Sequence, residues 1–183
     1  MMKRAFAMLA VAGLLVAGAA APAKADDEEA NAHQRAGFSI GGNAEYFRNN
    51  RATANGWYGG ADVRFHLGSV LAVEGSAAYK REGGVDWYPV QGSLLLYLTP
   101  YWRLSPYVLG GGTWYMNGNT SWDNAVFGPH AGAGAELFLT RHLSLDASWR
   151  YLWAENLASG TNYFNRSYGS NGWLFKGGVR VHF

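Results

Sequence analysis

The sequence predicts an all-β fold: an eight-stranded antiparallel transmembrane β-barrel with short periplasmic turns and longer extracellular loops. Three observations predict it. Apolar residues alternate with polar or small ones from Gly37 to the C terminus, the segments between strands alternate short and long, and an aromatic side chain recurs at the long-loop end of the strands.

An export signal precedes the alternating region. Residues 1–4 are short and basic, residues 5–20 are apolar, and Ala23-Lys24-Ala25 is a small-x-small cleavage site, so residues 1–25 read as a signal peptide cut between Ala25 and Asp26. The apolar run falls short of the ~20 residues that a membrane-spanning helix needs. No cysteine follows it, which argues against an acylated lipoprotein. Residues 26–36 open with four consecutive acids and have no apolar period, so they read as a polar periplasmic tail, with the barrel over residues 37–183.

Cleavage leaves 158 residues, enough for one domain, with 12 basic and 13 acidic side chains. That balance gives no reason to expect a nucleic-acid partner. With no cysteine, the exported domain needs a closure other than disulfides. Gly 25, Tyr 11, Phe 9 and Trp 8 are the residues of tight turns, strands and interfacial belts, and no second long apolar run exists to make a helical membrane protein.

The expected outward faces follow in order. The first strand presents Phe38, Ile40, Gly42, Ala44 and Tyr46; the second Trp57, Gly59, Ala61, Val63, Phe65 and Leu67; the third Leu71, Val73, Gly75, Ala77 and Tyr79. The fourth presents Tyr88, Val90, Gly92, Leu94, Leu96 and Leu98, and the fifth Tyr107, Leu109, Gly111, Thr113 and Tyr115. The sixth runs Phe127, Pro129, Ala131, Ala133, Ala135, Leu137, Leu139; the seventh Leu143, Leu145, Ala147, Trp149, Tyr151, Trp153; the eighth Trp173, Phe175, Gly177, Val179, Val181, Phe183. Each spans the about 9–11 residues of a tilted membrane strand. Short connections are expected at Gly68-Ser69, 99–106 and 140–142, and long ones at 47–56, 80–87, 116–126 and 154–172.

Alternation alone does not say whether the apolar face points at lipid or into the core of a soluble, lipocalin-like barrel. The aromatics decide for lipid. Tyr46, Trp57, Tyr79, Tyr88, Tyr115, Phe127, Tyr151 or Trp153, and Trp173 all fall at one height, where amphipathic rings settle at the headgroup level. The opposite face holds Glu45, Asp62, Arg64, His66, Glu74, His130, Glu136, Asp146, Arg150, Lys176, Arg180 and His182, and a chain only 15% charged lacks the dense Lys/Glu surface of a soluble sheet.

The C-terminal run from Lys176 to Phe183, with polar Lys176, Gly178 two residues on, apolar Val181 and terminal Phe183, resembles the assembly signal of small outer-membrane barrels. Residues 106–112 (PYVLGGG) and 132–136 (GAGAE) resemble recurring strands of the same proteins. From about Gly37 to Phe183 the chain is thus similar to barrels of the OmpA, OmpX and OmpW type. The resemblance implies the bacterial outer membrane as location, recognition by the barrel-assembly machinery, and contact with outer-membrane lipid and lipopolysaccharide as a monomer. The fold hosts several functions. A structural or surface-interaction role with a closed or narrow lumen is the first expectation; a narrow channel for small hydrophobic molecules, implied by the OmpW likeness, is the alternative, and a lipid A-modifying enzyme ranks third.

No pattern of catalytic, cofactor or metal residues is expected. Gly110–Gly112 lies inside a strand with no helix N-terminus to complete a phosphate cradle. His33, His66, His130, His142 and His182 lack ligand spacing. Lipid A deacylases place His and Ser just after an Arg-aromatic pair, whereas Arg150-Tyr151-Leu152 is followed by Trp153, Ala154, Glu155 and Asn156. His142 and Ser144 are the one Ser/His spacing to test. In the loop at 154–172, Tyr163, Phe164, Arg166 and Tyr168 suit contact with lipopolysaccharide or another surface, but the preferred reading of the segment is a variable solvated loop.

Hairpin register predicts an interior ion network. If Leu67 faces Leu71 across the Gly68-Ser69 turn, Arg64 lies opposite Glu74; if Leu139 faces Leu143, Glu136 lies opposite Asp146, a like-charged pair that needs a cation. Arg180 is expected to supply it, with Arg150 and Lys176 higher in the lumen.

Overall fold

The computed structural model describes residues 37–49, 55–100, 102–117, 126–153 and 171–183. The expected signal peptide with its Ala25/Asp26 cleavage site, the polar tail and most of the 154–172 segment lie outside these residues.

Eight strands form one closed sheet: β1 Gly37–Asn49, β2 Gly56–His66, β3 Leu71–Glu82, β4 Val85–Tyr97, β5 Leu104–Asn117, β6 Val126–Phe138, β7 Leu143–Leu152 and β8 Gly172–His182. Each pairs antiparallel with the next, and β8 returns to β1 from Ser39↔His182 to Asn49↔Gly172. Following paired residues once around, from Ser39 through Arg64, Glu74, Ser93, Gly111, His130, Leu152 and Gly172, returns to β1 at Asn49, ten residues along. Ordinary strand rise and spacing convert that offset into a tilt of about 40°. An eight-stranded barrel of this kind has an interior that side chains can just fill.

The burial pattern is inverted relative to a water-soluble protein. Leu94 and Phe175 are 51% and 49% exposed, while Arg64, Arg150 and Arg180 are at most 1% exposed. A surface this apolar is a stable solution only where the outer solvent is hydrocarbon.

Two expectations need correction. The 80–87 segment is not a long loop: Lys80↔Trp87, Arg81↔Asp86 and Glu82↔Val85 continue the ladder to a two-residue turn. Gly83 and Gly84 make this possible, since both have positive φ, 59° and 81°, which a hairpin turn of this type requires and which glycine adopts without strain.

The second correction is the face of β5. Tyr107, Leu109, Thr113 and Tyr115 point into the lumen and are buried, and Val108 and Trp114 face outward. Between Pro106 and Gly112 both faces are apolar or glycine, and Thr113 is the one small polar residue before Tyr115, so periodicity carries almost no sign; the ladder to β6, running from Leu104↔Leu137, sets it. Trp114 therefore takes the girdle place expected of Tyr115 and packs 4.9 Å from Phe127. In this cysteine-free chain, the thiol of Trp114→Cys is expected to react with a bilayer-soluble maleimide and that of Tyr115→Cys to stay protected. The opposite labelling would return β5 to the other face.

The lumen is layered. At the long-connection end Phe47, Tyr58, Ala78, Trp87, Tyr115, Leu152 and Leu174 form an apolar cap. Toward the short-turn end Ala72, Leu95, Tyr97, Tyr107 and Leu109 pack together. Between and beside them runs a band of charge.

Candidate functional site

The band of charge is the chemically distinctive part of the barrel; β1–β3 and β6–β8 contribute its charged side chains, and β4 and β5 contribute neutral hydrogen-bonding groups such as Gln91, Ser93, Tyr97 and Tyr107. On β2–β3, Arg64 and Glu74 face each other in register, and Arg64 Nη2 donates to Glu74 Oε2 at 2.6 Å. On β6–β7, Glu136 and Asp146 face each other, two carboxylates in directly paired positions. Arg64 reaches across the lumen to both, at 3.1 Å from each. Two phenols complete this end. Tyr97 accepts from Arg64 Nη1 at 2.6 Å and donates to Glu136 at 2.7 Å, and Tyr107 donates to both Asp146 oxygens at 3.0 Å with its ring 5.2 Å from the Arg64 guanidinium.

Glu74 is the hub. Besides Arg64, its carboxylate receives Arg150 Nη2 at 2.7 Å, Lys176 Nζ at 2.9 Å and Arg180 Nη2 at 3.3 Å. Four cations on one carboxylate would be untenable alone, and Asp62 shares the load, holding Lys176 at 2.9 Å and Arg180 at 2.5 Å. Arg150 is further held by Gln91 at 2.8 Å and Ser93 at 3.2 Å, and His130 lies between Ser93 and Thr113, 2.9 Å from each hydroxyl.

Of the residues expected in an interior network, Arg64, Glu74, Glu136, Asp146, Arg150, Lys176 and Arg180 all lie buried in the lumen. The expected bridge is corrected: Arg64 spans Glu136 and Asp146, and Arg180 instead sits on Asp62 and Glu74, with only its Nε near Glu136 at 3.9 Å. The register explains the change. Asp146 faces Gly178, two residues from Arg180, and Arg180 is paired with Gly41, whose other neighbour is Asp62. Gly41 has no side chain to intervene; a Cβ there would sit 2.7 Å from an Asp62 carboxylate oxygen. Sequence reasoning missed Asp62 as the partner of Arg180 and the hydroxyls of Tyr97 and Tyr107. The first depends on the β8–β1 seam, where no turn fixes the register.

At the short-turn mouth Ser144 donates to Glu136 at 2.7 Å and lies 2.8 Å from His182 Nε2, which is 3.0 Å from Glu136. This is not a nucleophile–base–acid relay. A catalytic histidine meets serine with one ring nitrogen and carboxylate with the other, whereas here one nitrogen faces both. His142 lies exposed in the adjacent turn, its carbonyl accepting from His182 N–H at 3.0 Å, so Ser144 is partnered from β6 and β8. On the C-terminal strand, Lys176 points inward, and Val181 and Phe183 face outward with Phe183 stacked on Phe38 at 4.9 Å. Gly178 leaves room beside Asn43, whose amide donates to Asp62 at 2.7 Å.

Comparison with known proteins gives one family and a set of folds. The family described as outer membrane protein beta-barrel domain matches residues 9–183. No curated protein matches. Among solved structures, the N-terminal β-barrel domain of Pseudomonas aeruginosa OprF has a TM-score of 0.61 at 16% identity, covering 82% of this chain and 99% of that one. Neisserial surface protein A gives 0.59 at 18%, covering 81% and 98%, and the outer membrane protein OprG of Pseudomonas aeruginosa gives 0.55 at 13%, covering 81% and 97%.

Proposed function

We propose that this chain, which belongs to the outer membrane protein beta-barrel domain family, is a closed barrel with a structural and surface-interaction role, neither a channel nor an enzyme. It resides in the bacterial outer membrane. The observation that carries the reading is the lumen, where an apolar cap and an ion network bonded across the interior occupy the space that eight strands enclose. A solute would have to break several buried ion pairs to pass.

The outer face supports the other half of the reading. Tyr46, Trp57 and Trp173 cluster at the long-connection end, with Tyr46 5.0 Å from Trp57 and the Arg48 guanidinium 5.8 Å from the Trp173 ring. Aromatic and basic groups at that level suit lipid headgroups and lipopolysaccharide. Val181 and Phe183, outward on the closing strand, are available for the barrel-assembly machinery during insertion, and the barrel acts as a monomer.

Liposomes containing the protein are expected to swell no faster than empty ones in small sugars or amino acids and to take up no small hydrophobic solute, and lipid A from expressing cells is expected to keep its mass. Solute uptake would favour the narrow-channel alternative. Loss of an acyl chain that depends on Ser144 would make the protein an enzyme.

A further inference from the structure

We propose that a trough on the outer wall between β4 and β5 holds one acyl chain of an anionic glycerophospholipid, whose phosphate is anchored by Arg103 and Arg141 at the short-turn rim. The trough has a volume of about 210 Å³ and is lined by Leu94, Leu96, Val108, Leu109 and Gly110. A missing side chain opens it. Gly110 pairs with Leu94 on one side and Ala131 on the other, and a Cβ there would meet only the His130 carbonyl oxygen, at 3.8 Å. The outward glycines higher on the same strands are covered instead. The Phe127 ring lies over Gly112, 2.2 Å from where its Cβ would stand, and Trp114 comes within 4.0 Å of the same point on Gly92. The Trp114–Phe127 pair thus closes the trough toward the long-connection end. In the other direction the outward face runs through Pro106 and Leu104 to Trp102, which is 69% exposed. Strand rise sets Gly110 about 20 Å from Leu104, the reach of a ~16-carbon acyl chain. Trp102 then lies at the interfacial level, where an indole settles beside headgroups.

The rim supplies the charge that selects the headgroup. Arg103 and Arg141 are exposed, and neither has an ion pair among the described residues. Arg103 Nε donates to the Phe138 carbonyl at 2.8 Å, and the Phe138 N–H donates to the Arg103 carbonyl at 2.9 Å. These bonds seat the Arg103 guanidinium beside the turn that follows Phe138 and carries Arg141 and His142. The described acids lie elsewhere: Glu45, Asp62, Glu74, Glu136 and Asp146 are in the lumen, and Glu82 and Asp86 are on the β3–β4 hairpin at the opposite end. Two guanidinium groups facing no carboxylate attract an anionic headgroup, and their planar forks match phosphate oxygens. In a zwitterionic lipid the ammonium group offsets that attraction. The trough therefore holds the chain and the arginines choose the headgroup, at the end of the barrel away from the Arg48 cluster.

The full-length barrel, refolded in a neutral detergent and titrated with dipalmitoyl phosphatidylglycerol or dipalmitoyl phosphatidylcholine, tests this by native mass spectrometry of the retained lipid. One phosphatidylglycerol is expected per barrel, bound about tenfold or more tightly than phosphatidylcholine. Arg103→Gln and Arg141→Gln should each weaken phosphatidylglycerol about fivefold and leave phosphatidylcholine unchanged. Gly110→Leu, which fills the trough, should weaken both lipids, and Arg81→Gln at the far hairpin should change neither. The Arg141 side chain makes no hydrogen bond among the described residues, so its variant gives the result even if Arg103→Gln folds poorly. Equal retention of the two lipids by the wild type would overturn the proposal, as would a preference that survives the double arginine variant or that Arg81→Gln lowers as much. Retention unaffected by Gly110→Leu would show that the headgroup alone is held, against the proposal. A preference that emerges only when Asp26, Asp27, Glu28 and Glu29 are neutralised would mean that the chain's own acids cover the rim, and would overturn it as well.

Discussion

Glu74→Ala is expected to lower the unfolding free energy of the refolded barrel by about 3–5 kcal/mol, the range for breaking a buried ion pair by removing one partner. Glu74 holds Arg64, Arg150, Lys176 and Arg180 within 3.3 Å, and of the remaining acids Asp62 already holds two of these cations while Glu136 and Asp146 share Arg64. Removing the hub leaves guanidinium and ammonium groups facing one another in a space with little exposure to water. Glu74→Gln should lose nearly as much, because what is missing is charge more than volume. Urea unfolding followed by tryptophan fluorescence in lipid vesicles measures both. A loss under 1 kcal/mol for each, the scale of solvent-screened pairs, would mean the lumen is wet and its charges scattered.

Arg64→Met is expected to be second in size, at about 3–5 kcal/mol for the same reason. It exposes the Glu136–Asp146 pair, whose carboxylates then keep the hydroxyls of Tyr97, Tyr107 and Ser144 and, on Glu136, the His182 ring, but among the described residues no guanidinium closer than Arg180 Nε, 3.9 Å from Glu136. The effect should depend on its partners. In a cycle with Asp146→Asn, the double variant should be more stable than the sum of the single losses predicts, with a coupling of about 0.5–3 kcal/mol. Additive losses would show that Arg64 stabilises the barrel by packing alone.

The fold was legible because two strong local signals agree. Period-two alternation marks the strands, and turns such as Gly68-Ser69 fix neighbouring register closely enough to place Arg64 opposite Glu74 and Glu136 opposite Asp146. What escaped has physical causes. The inward face of β5 could not be read because Pro106–Gly112 is apolar or glycine on both sides and Thr113 alone adds polarity, and its Tyr107 hydroxyl matters only once Asp146 lies across from it. The Gly83-Gly84 turn hid inside a stretch whose charges resemble a loop.

The site was less legible than the fold, because lumen partners are chosen across the barrel. Arg64 on β2 meets Glu136 on β6 and Asp146 on β7, contacts that depend on the tilt and on the ten-residue offset around the sheet. Hairpin arithmetic reaches the next strand only. Gly41 illustrates the point, since it looks like a gap in a pattern and in the structure it is the opening through which Arg180 meets Asp62.

The central claim is that this lumen is shut, and ionic current through the full-length barrel in a planar bilayer tests it most directly. Wild-type protein is expected to leave the baseline flat at either polarity, because a permeating ion has to pass the aromatic cap and then the Glu74-centred network. Discrete, repeated openings of the wild-type barrel under the same conditions would contradict the account and show that the network opens in the membrane.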